Sequence, residues 1–221
     1  MIARIRQCLQ PPRFSTVARM PSLPLPRLIL ASSSIYRQQL LERLCLPFDT
    51  ASPSVDEMPL PGEMPPDTAL RLARTKAETI ARSAGDALVI GSDQVATLDG
   101  EHIGKPGDHA NALRQLQMMR GREVVFHTAL CLLDARPGAS PRIQLQNVET
   151  QVRFRDLPDA ELDAYLRIEQ PYDCAGSAKN EALGIAILEA IRSDDPTALT
   201  GLPLIALTTM LRRAGVHFFS Q

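Results

Sequence analysis

Leu28-Ile29-Leu30-Ala31-Ser32-Ser33-Ser34-Ile35-Tyr36-Arg37 holds an apolar run that stops at three hydroxyl side chains and gives way to helical spacing at Ile35, Leu40, Leu41 and Leu44. The spacing predicts a strand, a hydroxyl-rich turn and a helix. Free backbone N–H groups at a helix start attract phosphate, and small hydroxylated residues let it approach while donating hydrogen bonds. Arg37 then projects from the first turn with a planar donor fork suited to phosphate oxygens. A serine run before a helix is also a plain N-cap, so this stretch needs support from elsewhere in the chain.

Working outward, 47–51 reads as a short strand, and the proline-rich loop 52–66 bears Asp56 and Glu57. Asp67 or Thr68 is expected to cap a helix reaching about Ala84, with Leu70, Ala73, Ala77 and Ile80 on its buried stripe and Lys76 at the stripe's edge. Ala87 to Gly91 reads as a second buried strand that ends at Ser92-Asp93-Gln94 before an extended pattern resumes around an Asp99-Gly100 hairpin turn. A carboxylate at the mouth of a buried strand is poor core material, which makes Asp93 a candidate for chemistry. Gly104-Lys105-Pro106 offers a lysine stiffened by its proline neighbour. Further helices are expected from Asp108 to Met119 and Pro158 to Glu169, long strands over 123–134 and 142–155, an apolar strand over 184–191, and a last helix ending near Arg213. Strand pairs mixed with helices give an α/β protein with an elongated mixed sheet.

Bulk properties narrow the classes. The chain has 221 residues and a formal net charge of −1, with no basic stripe for nucleic acid and no polybasic membrane patch. Cys8, Cys45, Cys131 and Cys174 are widely spaced, and Cys45 and Cys131 lie in apolar surroundings, so reduced core thiols in a cytoplasmic protein are expected. The histidines show no zinc-ligand spacing, and no apolar stretch is long enough to span a bilayer. Residues 1–26 hold Arg4, Arg6, Arg13 and Arg19 without an acidic residue and resemble a targeting peptide, but prolines interrupt any amphipathic helix. A disordered extension, or a natural start at Met20, fits better, leaving 27–221 as the domain.

The ordered set Leu30-Ala31-Ser32-Ser33-Ser34 with Arg37, Val55-Asp56-Glu57, Leu72-Ala73-Arg74-Thr75-Lys76-Ala77, Gly91-Ser92-Asp93-Gln94, Gly104-Lys105-Pro106, Thr128-Ala129, Ala175-Gly176 and Gly201-Leu202-Pro203 resembles the Maf-like nucleotide pyrophosphatases. The resemblance runs from about Arg27 to Arg213. It implies a mixed β-sheet flanked by helices, with two lobes around a central cleft as in the inosine triphosphatase-like fold. Within the family, Cys174-Ala175-Gly176-Ser177 with Glu181 looks like the subgroup that hydrolyses 7-methyl-GTP, where dTTP- and UTP-hydrolysing members typically have lysine and glutamine at those two places. Ile35, Gln38, Tyr36 and Ala182 depart from the family pattern.

The resemblance further implies cleavage between the α- and β-phosphates with magnesium or manganese, and a homodimer. Its residue assignments are Asp93 as proton acceptor, with Arg37, Lys76 and Lys105 neutralising phosphate charge. Ser32, Ser33, Ser34 and Arg37 would bind phosphate, and Glu57 with Asp93 would hold the metal. Tyr36, Gln94 and Glu181 would read the base, Tyr36 by stacking on the cationic methylated ring. Whether Asp93 accepts a proton, ligates the metal or does both stays open. The competing functions are a dTTP- or UTP-type pyrophosphatase and a nucleotide-binding regulator of cell division whose hydrolysis is incidental.

Overall fold

The computed structural model describes residues 25–139 and 142–219. The expectation for the N-terminal stretch therefore lies outside the described residues except at Leu25 and Pro26, and Cys8 lies outside them too. Strands β1 (Leu28–Ala31), β2 (Asp49–Ala51), β3 (Leu88–Leu98), β4 (Glu101–Ile103), β5 (Glu123–Asp134), β6 (Ile143–Phe154) and β7 (Leu188–Ser193) form one sheet in the order β2-β1-β3-β5-β6-β7, with β4 on β3. The β1 pairings to β2 and β3 are parallel and the remaining ones antiparallel, so the sheet is mixed as expected. The β3–β4 hairpin turns on Asp99 and Gly100, both at positive φ (52° and 85°), the geometry a tight two-residue loop demands.

Side-chain alternation along β1, β3 and β5 divides the core between the sheet faces. Leu28, Leu30, Leu88, Ile90, Leu130 and Leu132 face α1 (Ile35–Glu42) and α5 (Leu204–Arg213). Ile29, Ala31, Val89, Ala129 and Cys131 face α2 (Pro65–Ala84). Farther along β3 and β5, Ala96, Leu98, Val124 and Phe126 pack with α3 (His109–Met119) and α4 (Asp159–Glu169). The long strands thus run through two differently covered halves.

Several local expectations change. Helix α2 begins at Pro65 with Met64 in the N-cap position, because two prolines suit a first turn whose N–H groups have no partners. Its buried stripe is Ala69, Leu72, Ala73, Lys76 and Ala77, which places Lys76 inside it and leaves Leu70 and Ile80 half-buried. Strand β3 does not stop at Ser92 but continues through Asp93 and Gln94, whose polar groups find partners on both faces. The stretch over 184–191 divides into a 3-10 turn, Leu183–Ile187, followed by β7. Ile35 is 53% exposed, and Cys45 is exposed rather than a core thiol, whereas Cys131 is fully buried.

Candidate active site

The turn after β1 keeps its helix-capping role and still faces the cleft. Ser34 Oγ accepts from Arg37 N at 3.4 Å as N-cap of α1, and Ser32 Oγ accepts from Ser34 N at 3.1 Å. Ser33 is exposed. Arg37 Nε donates to the Gly201 carbonyl at 2.8 Å and Nη1 reaches Ser32 Oγ at 3.5 Å, which anchors the guanidinium while leaving donors of its fork uncommitted. Burial lowers the Arg37 pKa against the pull of Asp93 and Glu57, yet an arginine stays charged at neutral pH.

Mid-strand alternation sends Ser92 and Gln94 to one face and Asp93 to the other. Ser92 Oγ lies 2.8 Å from Gly201 O and 2.9 Å from Ala129 O, acceptors between which its single proton must choose. Gln94 Nε2 donates within the set Thr128 Oγ1, Ala198 O and Leu199 O at 2.9 to 3.1 Å, so its carbonyl oxygen is what it can offer a ligand. Asp93 meets α2, where Lys76 Nζ lies 2.6 Å from Asp93 Oδ1 and 2.5 Å from Glu57 Oε1. Lys76 is 5% exposed and Asp93 7%, so each needs the other's charge to be tolerated inside. Burial pushes the Asp93 carboxyl above its ordinary value; Lys76 and Arg37 pull the other way without cancelling the rise. Burial would also raise Glu57, but Lys76, Lys105 and Arg37 together leave it below the usual carboxylate range.

The approach of α2 depends on Gly91. A Cβ there would collide with the Ala73 carbonyl oxygen and come within 2.9 Å of Ala77 N. The loop bearing Glu57 is tied back to the same helix: Arg71 grips Glu63 through Nε at 2.6 Å and Nη2 at 2.8 Å and also donates to Met58 O at 3.0 Å. That Arg71 fork holds the Glu63 carboxyl down to about 2.

Around these groups opens a cleft of about 570 Å³. Ser32, Ser33, Ser34, Tyr36, Arg37, Glu57, Lys76, Asp93, Gln94, Lys105 and Glu181 all line it, so every residue given a site role from sequence reaches one cavity. Arg37, Lys76 and Lys105 bring positive charge to the lining, which Tyr36, Cys174 and Glu181 share with Asn180 and Thr200. Two participants had no assigned role in the sequence reading. Lys179 opposes the burial that raises the Tyr36 pKa and has Asp173 at 3.8 Å and Glu169 at 3.9 Å; its only sequence signal is a basic residue just before Glu181. His102 lines the cleft beside Lys105 from the β4 hairpin, and nothing in its sequence surroundings marks it.

The residues fit a divalent cation of the magnesium type. Glu57 and Asp93 converge on one ammonium group, a carboxylate pair of the kind such an ion uses with water and substrate phosphates. No group of three or more His, Cys, Asp or Glu is placed to form an all-protein cage among the described residues. Nor is any helix among them long and apolar enough to cross a membrane.

Comparison with known proteins identifies the family. The model of the Maf-like protein family matches residues 27–214. A protein of Cupriavidus pinatubonensis named 7-methyl-GTP pyrophosphatase is 63% identical over 201 residues, covering 91% of this chain and 100% of the relative. A protein of the same name from Burkholderia thailandensis is 67% identical over 198 residues, covering 88% and 91%. Among solved structures, a HAM1 protein from Coxiella burnetii aligns with a TM-score of 0.50 at 16% identity, covering 86% of this chain and 100% of that one, a likeness of fold alone. With its family model spanning nearly the whole described domain and its motifs gathered in one cleft, the chain belongs to the Maf-like protein family.

Proposed function

We propose that this protein is a nucleotide pyrophosphatase that hydrolyses 7-methyl-GTP to 7-methyl-GMP and pyrophosphate. The observation that carries the reading is the buried Lys76 ammonium bridging Asp93 and Glu57 in a cleft that Tyr36 and Glu181 also line. The name shared by relatives at 63% and 67% identity supports the same substrate.

In this reading the triphosphate lies along the Ser32–Arg37 turn toward Lys76 and Lys105. Water attacks the α-phosphorus, the bond from that phosphorus to the bridging oxygen breaks, and pyrophosphate departs. Asp93 Oδ1 is held by Lys76, whereas Oδ2 has no hydrogen bond to the described residues and is the oxygen that accepts the water's proton. Its raised pKa makes it a stronger base than an ordinary aspartate. Arg37, Lys76 and Lys105 stabilise the charge gathering on the leaving pyrophosphate. Glu57 and Asp93 would hold magnesium or manganese, which when bound would neutralise phosphate oxygens beside the attacked bond. At the base end, Glu181 offsets the positive charge of the methylated ring, Tyr36 stacks on it, and Gln94 presents its carbonyl oxygen. The protein is proposed to work as a homodimer in the cytoplasm, without a nucleic-acid or membrane partner, in keeping with its net charge of −1.

The test is pyrophosphate release from 7-methyl-GTP, GTP, dTTP and UTP with magnesium or manganese, for wild type and Glu181→Gln. Wild type should prefer 7-methyl-GTP, and the variant should lose that preference more than it loses turnover. Activity mainly on dTTP and UTP would overturn the base assignment; nucleotide binding without turnover would favour the regulator.

A further inference from the structure

Two loops contribute to the cleft lining besides the serine turn. Residues 104–107 carry Lys105, and residues 174–181 carry Cys174 and Glu181. Gly107 N, at the end of the first loop, donates to Tyr172 O, two residues before the second, at 3.0 Å. A second connection runs through one side chain. Gln115, on α3, donates from Nε2 to the Gly104 carbonyl at 2.9 Å and accepts at Oε1 from Ser177 Oγ at 2.7 Å. The Gly104 oxygen can only accept, which fixes the amide's orientation and leaves its oxygen for the serine hydroxyl.

Both ends of this bridge are constrained. Ser177 is fully buried at φ +53°, its carbonyl accepts from Tyr165 O–H at 3.2 Å, and a buried hydroxyl needs a partner. Asn111, one turn earlier on α3, holds Pro106 O at 3.0 Å, so residues four apart on one helix face carry the lysine loop. The helix itself is anchored by buried Ala112, Leu116 and Met119.

We propose that Gln115 is a positioning residue that sets the Lys105 loop and the base-side turn in fixed relation, so that a base seated against Glu181 places its phosphates at Lys105. The proposal rests on the functional reading above. The two halves of the bridge can be broken separately. Gln115→Glu keeps an acceptor for Ser177 but puts a carboxylate oxygen against the Gly104 carbonyl. Ser177→Ala removes the other bond and leaves the Gly104 contact intact.

Gln115→Glu should lower kcat on 7-methyl-GTP roughly tenfold, as misplacing a catalytic group does, with the preference over GTP retained. Ser177→Ala should shrink that preference about fivefold while kcat changes little, the pattern of a lost binding contact. Lowering pH restores an O–H donor at position 115 in Gln115→Glu, so the ratio of its kcat to that of wild type should rise as pH falls. Amide hydrogen exchange needs no activity: it should quicken over 104–107 in Gln115→Glu and over 174–178 in Ser177→Ala. A wild type that hydrolyses none of the nucleotides would remove the functional reading and leave exchange to decide the bridge. Unaltered exchange in both variants, or equal loss of kcat and preference in both, would overturn it.

Discussion

At residue scale the cleft turns on the balance of charge around Asp93. Its carboxyl is raised by burial while Lys76 and Arg37 oppose the rise, so the acid limb of kcat/KM should have its midpoint above 3.8, the ordinary value. Lys76→Met removes an opposing positive charge. The remaining burial and Glu57 then raise the Asp93 pKa further, so the limb should move to higher pH; a pH–rate profile with an unmoved limb would contradict the coupling. Asp93 was legible in the sequence because a carboxylate amid apolar strand residues has few structural uses. The burial of Lys76 was not. Helical spacing allowed a stripe through Leu70 and Ile80 as readily as one through Leu72 and Lys76, and it is the carboxylates of Asp93, 17 residues on, and Glu57 that make a buried ammonium tolerable.

Between elements, the decisive contact is that of α2 against β3. Gly91→Ala should force the helix outward, costing about 1 to 3 kcal/mol of stability and a larger share of turnover, because retreat of α2 separates Lys76 from Asp93. Denaturant melts and turnover of the folded variant would measure both; stability and rate equal to wild type would reject the dependence. The strands and helices were largely legible from periodicity and turn residues, Asp99-Gly100 among them. The expected break at Ser92 was not real. Consecutive polar residues usually end a buried strand, but here Gly201, Lys76 and Thr128 satisfy each in turn, and those partners are remote in sequence. Asp195 works at similar range: 2% exposed, it accepts from Ile205 N at 2.7 Å and Ala206 N at 3.2 Å, so the N-terminus of α5 is capped by a residue far outside the helix.

Across the whole molecule, the mixed sheet brings a parallel-strand turn, a helix face and two distant loops to one cavity. Strand and helix spacing alone could not show that convergence; the ordered motifs of the family could, because they tie the segments to a common ligand. Lys76 already neutralises charge between Glu57 and Asp93, so the cleft is expected to hold together without a cation. Chelation of divalent metal should therefore abolish turnover and leave the melting temperature unchanged, and a large fall in melting temperature would show a structural ion instead. The most direct test of the central claim compares wild type with Asp93→Asn for pyrophosphate release from 7-methyl-GTP and for nucleotide binding by calorimetry. Loss of turnover by about 10²-fold or more with binding retained is the expected result for a general base; near-normal turnover in Asp93→Asn would contradict it.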